Sequence, residues 1–139
     1  MPGQLIWACL NPEDARDQWI PVKVGADGSL TISSPLDKGV IHNTAYVTPD
    51  DFFAAALAPT NTPCRFRCAG AFSVAGVLDV TITRALNTQT MHFNHGVVLT
   101  ADCLFEFDVL VEDGDTINYQ YGINCNILTF RVLEIPGAI

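Results

Sequence analysis

The residues with the right types for chemistry are three histidines, five cysteines and a scatter of carboxylates. His92 and His95 stand three positions apart, a spacing that invites a metal pair. On a strand, however, side chains alternate, so the two rings would leave on opposite faces, and a zinc site needs three or four converging ligands. No third ligand sits nearby in the sequence, so the pair reads as surface or loop histidines. Glu112, Asp113 and Asp115 offer oxygens to Ca²⁺ but lack the ordered positions of a calcium loop, and they read as a solvated hairpin tip. Asp50 and Asp51 look like an acid–base pair. Following Thr48-Pro49, they read instead as the acidic first turn of a helix. Cys103 falls on a core-facing position of an alternating run and reads as a packed thiol rather than a nucleophile. Trp7, Trp19, Tyr46, Tyr119 and Tyr121 are enough aromatics for a sugar-stacking platform, although packing in the core or an interface is their expected use. The sequence contains no glycine-rich phosphate loop, no serine elbow and no His–Glu pair at helical spacing. These residues predict no catalytic centre, no metal ligand and no cofactor, and the chain is expected not to be an enzyme.

The elements that would carry these residues are strands. From Cys103 the odd positions Cys103, Phe105, Phe107, Val109 and Val111 are apolar, with Glu106 and Asp108 between them. That alternation gives one buried and one wetter face. Asp113-Gly114 then marks a hairpin, because glycine adopts positive φ without steric cost. The next run places Ile117, Tyr119 and Tyr121 on one face and Asn118 and Gln120 on the other. The last strand, 127–135, is apolar on both faces, as expected of a central strand or one pressed against another subunit. Upstream, 64–74 and 77–85 alternate as well, and the polar run 87–93 suits an edge. The N-terminal part, 1–34, reads as a β unit with strands at 4–10, 19–24 and 29–33 and an Asp27-Gly28 hairpin tip. Between them, 35–63 is rich in proline and turn residues and reads as a linker holding one short helix over 48–57. The expectation is therefore an all-β chain: a hairpin arm (1–34), a linker (35–63) and an antiparallel β-sandwich of jelly-roll type (64–139).

Composition narrows the function classes. A chain of 139 residues suits one principal core. The net charge of −8 is the wrong sign for a nucleic-acid surface. No segment approaches the roughly 20 apolar residues of a membrane helix, and the first ten residues lack the basic start of a secretory leader. The five cysteines have no metal-site spacing and read as reduced thiols of a protein made in a cytoplasm. Cys64 and Cys68 share a strand face but would stand about 13 Å apart, too far for a disulfide.

Two stretches carry a resemblance. Asp17-Gln18-Trp19-Ile20-Pro21-Val22-Lys23-Val24-Gly25-Ala26-Asp27-Gly28-Ser29-Leu30 is similar to a phrase near the N-terminus of many phage structural proteins. The C-terminal half resembles the single jelly roll of small virion proteins of tailed phages. Its matching residues are Gly96-Val97-Val98-Leu99-Thr100-Ala101, then Phe105, Phe107 and Val109, then Gly114-Asp115, Asn118 and Tyr121, then Ile127-Leu128, Phe130, Val132 and Glu134-Ile135. The five cysteines and the linker helix depart from that pattern. The resemblance implies a capsid cement (decoration) protein, commonly a homotrimer, bound to the major capsid protein on the surface of the head, with no catalytic residues. Trp7, Trp19, Ile20, Phe52 and Phe53, all expected outside the sandwich, are then the candidate capsid contacts. A fibre module that binds a receptor or carbohydrate is the alternative. A cupin-like metalloenzyme would need clustered histidines, and His42, His92 and His95 are spread along the chain.

Overall fold

A computed structural model describes residues 4–9, 19–24 and 35–137 of the chain, which divides into two compact units, Met1–Ser33 and Ser34–Ile139. In the first unit β1 (Gln4–Cys9) pairs antiparallel with β2 (Trp19–Val24), in a register that sets Trp7 opposite Pro21 and Cys9 opposite Trp19. The expected strand at 29–33 and its Asp27-Gly28 turn lie outside the described residues.

The second unit is all-β. One antiparallel sheet has the order β3-β9-β4-β7, formed by Leu36–Tyr46, Cys125–Pro136, Cys64–Phe72 and Phe105–Val111. The other has the order β6-β5-β8, formed by Asn87–His92, Leu78–Arg84 and Asp115–Tyr121. Their inner faces share one core, the arrangement of a β-sandwich. Phe66, Cys68, Phe72, Phe130 and Val132 from the first sheet meet Leu78, Val80, Ile117, Tyr119 and Tyr121 from the second. The aromatic content is concentrated there: Phe72 lies 4.0 Å centroid to centroid from Tyr121, and Tyr119 lies 4.9 Å from Phe130. Offset and edge contacts of this kind add to the area term of burial.

The alternating runs fold as strands with the expected faces inward, and β9 sits centrally between β3 and β4, which explains its apolar residues on both sides. The polar run Asn87–His92 is an edge strand with every residue exposed.

Two expectations are corrected. Leu36–Tyr46 belongs to the sandwich as β3, so the domain begins well before residue 64 and 35–63 is not a linker. This strand escapes pattern reading because it lies at the sheet edge, half-exposed, with Gly39 and a left-handed Asn43 (φ 50°) interrupting any alternation. The helix over 48–57 is not formed either. The chain runs instead along the open edge of β8: the Phe52 amide donates to the Tyr119 carbonyl (2.9 Å), and Leu57 and Ile117 exchange two backbone bonds (2.8 and 2.9 Å). Asn118 completes the join, its Nδ2 donating to the Phe53 carbonyl (2.7 Å) and its Oδ1 accepting the Phe53 amide (3.1 Å). An uncovered sheet edge leaves a row of unpaired backbone groups, and satisfying them outweighs the modest helix propensity of Ala54-Ala55-Ala56. The apolar side chains agree with that choice. Phe52 meets Tyr46 and Phe130 at 5.0 Å each, and Phe53 lies over Gly39, where an added Cβ would stand 2.5 Å from the ring.

Candidate functional site

Several of the residues singled out for chemistry are spent on structure. Tyr46, Tyr119 and Tyr121 are at most 5% exposed, so three of the five aromatics proposed as a sugar platform are core. Phe52 and Phe53 are half-buried against the same core and do not stand outside the sandwich as expected. Trp7, Trp19 and Ile20 lie on β1 and β2. Cys103 is exposed, not core-facing, because β7 starts only at Phe105 and the left-handed Asp102 (φ 58°) ends the alternation. Cys64 and Cys68 are buried free thiols. Burial pushes the Cys68 thiol up to about 12, against the opposing pull of its 3.1 Å hydrogen bond with the Tyr119 hydroxyl. Such a thiol is a packing group, not a nucleophile.

His92 and His95 are not brought together. His92 Nδ1 meets Asp79 Oδ1 at 2.6 Å across the β5–β6 pair, while His95 sits in the tight turn Phe93–Gly96 with positive φ (56°). The tip of the acidic hairpin, Glu112 to Gly114, is solvated as expected from its sequence, but Asp115 is not. Asp115 is 3% exposed and receives two bonds from Arg84, at Nε (2.6 Å) and Nη2 (2.9 Å), and Arg84 also reaches Glu112 (2.9 Å). The guanidinium holds the Asp115 carboxyl below the usual carboxylate range. Among the described residues no three His, Cys, Asp or Glu side chains converge as a metal site would require.

Beside this hairpin the sandwich is open. Segment 49–57 covers the β8 edge, whereas among the described residues no strand pairs with the outer edge of β6 or β7, and both edges line one trough. One part, about 540 Å³, is lined by Ile82, Arg84, Asn87, Gln89, Leu110 and Glu112 among others. A second part, about 360 Å³, continues past Phe93, Phe107 and Val109. Met91 and Leu110 line both parts, and they are 45% and 67% exposed. The register Val80↔Met91 and Ile82↔Gln89 turns Met91, Gln89 and Asn87 toward the side where the opposite sheet would lie. These side chains find no cover there. Among the described residues the trough thus offers unpaired backbone on two strands, apolar side chains between them and a polar rim of Asn87, Gln89, Arg84, Glu112 and Asp108, which suits an extended peptide or a flat protein face. The sequence pointed to the edge strand but not to the trough, since Leu110 and Met91 meet only through tertiary pairing.

A second polar cluster lies at the same end of the sandwich as the acidic hairpin, where Cys64 pairs with Val111 on one side and Pro136 on the other. Glu134 is fully buried, and its carboxylate accepts bonds from the Thr60 amide (2.9 and 3.0 Å), the Asn61 amide (2.7 Å) and Lys38 Nζ (2.9 Å). Lys38 reaches it because a bulge between Asp37 and Gly39 leaves that lysine as the extra residue of β3. It also bonds Thr60 Oγ1. Burial alone would raise the Glu134 carboxyl, but Lys38 and the two amides outweigh it and hold it below its ordinary value. This cluster pins Thr60 and Asn61 to the sheet.

No protein-family model matches the chain, and no curated protein matches it either.

Proposed function

We propose that the chain is a non-enzymatic structural protein of a phage virion, a capsid cement protein that clamps neighbouring subunits of the head. The observation that carries this reading is the strand order. With 49–57 counted beside β8, the two sheets read β3-β9-β4-β7 and (49–57)-β8-β5-β6. That order supports the reading as a single jelly roll, an architecture frequent in capsid proteins. Fold alone does not fix function, so the surfaces matter as well. The bare β6 and β7 edges and the trough between them give a rigid body a place to bridge neighbours by backbone pairing. Trp7, Trp19 and Ile20 remain the proposed capsid contacts of the N-terminal unit, and closed threefold symmetry would suit the junctions of a head lattice. On this reading the protein resides on the capsid surface, binds the major capsid protein and carries no cofactor.

The test is sedimentation of purified protein with heads assembled without it. Saturable binding of the full chain is expected, with binding lost when 1–34 is deleted and the sandwich still melts cooperatively. A full chain that stays in the supernatant would remove the cement reading. The fibre-module alternative keeps only Trp7 and Trp19 of its five aromatics, and a glycan array that captures the full chain would favour it.

A further inference from the structure

We propose that one end of the sandwich is a docking surface for a protein face with an apolar centre and a rim of Lys or Arg. Four connections gather at this end: the start of 47–57, 73–77 between β4 and β5, 93–104 between β6 and β7, and 122–124 between β8 and β9. They are tied to one another. The Thr48 amide donates to Asn124 Oδ1 (2.8 Å), the Gly122 amide to the Val77 carbonyl (2.9 Å) and the Asp102 amide to the Phe72 carbonyl (2.8 Å). Gly76 and Leu99 exchange two backbone bonds (3.3 and 2.7 Å), and the Tyr121 hydroxyl donates to the Val74 carbonyl (2.9 Å). A surface held this way loses little freedom when a partner arrives.

Its chemistry is uneven in two respects. Val47, Val74, Val97, Val98, Leu104 and Ile123 are more than half of the large apolar side chains that stand exposed among the described residues. Single exposed apolar residues are ordinary, but a cluster confined to one end marks a binding surface. The charge is also one-sided. Every Lys and Arg of the described sandwich lies on a strand and is paired: Lys38 with Glu134, Arg65 and Arg67 with Asp108, Arg84 with Asp115, and Arg131 with Asp37. The four connections contain no Lys or Arg. Among the described residues the carboxylates without a cationic partner are Asp50, Asp51, Asp102, Glu106 and Asp113, and the first three stand on these connections. The surface is therefore apolar with an acidic border. Electrostatic complementarity selects a basic-rimmed protein face and works against an anionic lipid surface or a second copy of the same acidic end.

This inference stands apart from the virion role and does not need it. The test uses the full chain, labelled for amide NMR, and three probes: a synthetic amphipathic helix with a leucine face flanked by lysines, the same helix with glutamates for lysines, and phosphatidylcholine vesicles. The Leu/Lys helix is expected to shift amides within 97–104 and 122–124, while the Leu/Glu helix and the vesicles leave them unmoved. Val98→Asp and Leu104→Asp are expected to weaken the Leu/Lys helix about ten-fold. Both side chains are more than half exposed, so the fold should persist, and Leu104→Ser serves as a second variant with no added charge. Adding an aspartate would tighten an association driven by charge alone, so tighter or unchanged binding by the Asp variants overturns the proposal. Shifts confined to other parts of the chain, equal binding of vesicles, or self-association through these connections in the ultracentrifuge overturns it as well.

Discussion

Replacing Glu134 by leucine should be the most damaging single change in the sandwich that leaves its volume nearly intact. The carboxylate is fully buried and is the common acceptor for Lys38, Thr60 and Asn61. Removing it strands a largely buried ammonium, at a cost of about 3–5 kcal/mol for a broken buried pair. The two orphaned amides keep the figure toward the upper part of that range, since an unmet buried donor costs about 1–3 kcal/mol. For a unit of about 100 residues, a loss near 4 kcal/mol lowers the melting temperature by about 20 °C. Removing Lys38 together with Glu134 avoids the stranded charge, so Lys38→Met/Glu134→Leu should be about 2 kcal/mol more stable than the sum of the two single changes implies. Urea denaturation of the four proteins gives this coupling directly, and hydrogen exchange should show the Thr60 and Asn61 amides released in the Glu134→Leu variant. A coupling below about 0.5 kcal/mol, the level at which distant sites simply add, would refute the account of this cluster.

Acid should weaken the fold through the same groups. Glu134, Asp37, Asp108 and Asp115 all have carboxyls held below their ordinary values. Their stabilisation is therefore fully present above the unfolded-state values near pH 4 and is lost as the pH falls through the lowered folded values, so the melting temperature should drop below about pH 4, less steeply in Glu134→Leu. Phe52→Ala should cost about 3–5 kcal/mol as a core truncation, whereas a side chain standing outside the sandwich would cost under about 0.5 kcal/mol. Gly76→Ala should destabilise the fold, because the added Cβ would stand 2.8 Å from the Tyr121 ring and 2.9 Å from Ile123, and an unchanged denaturation midpoint would contradict that packing. Iodoacetamide at pH 8 should label Cys103 well before Cys64 and Cys68, which mass spectrometry of digests reads out, since Cys103 alone of the three is exposed.

The parts of the fold legible in the sequence were those where one strand carries its own pattern. β5, β7 and β8 announce their faces by alternation, and the two-sided apolar content of β9 anticipates its place between β3 and β4. What escaped reading depends on partners far along the chain. β3 is defined by its pairing with β9, some 90 residues away, and not by its own side chains. Segment 48–57 carries a good helix start, yet the open edge of β8 and the aromatic core around Phe52 decide its path. Asp115 read as solvated because its cation, Arg84, lies 31 positions upstream on another strand. The trough and the apolar loop end share this property: each is assembled from single exposed side chains that mean nothing until the strands bring them together.

The proposed virion role is tested most directly by an electron cryomicroscopy map of phage particles assembled in the presence of this chain. The account expects density for the sandwich on the outside of the head, seated across junctions between capsid subunits, with the N-terminal unit or the β6 and β7 edges against its neighbours. The same density found only at the tip of a tail fibre, or missing from the particle altogether, would contradict it.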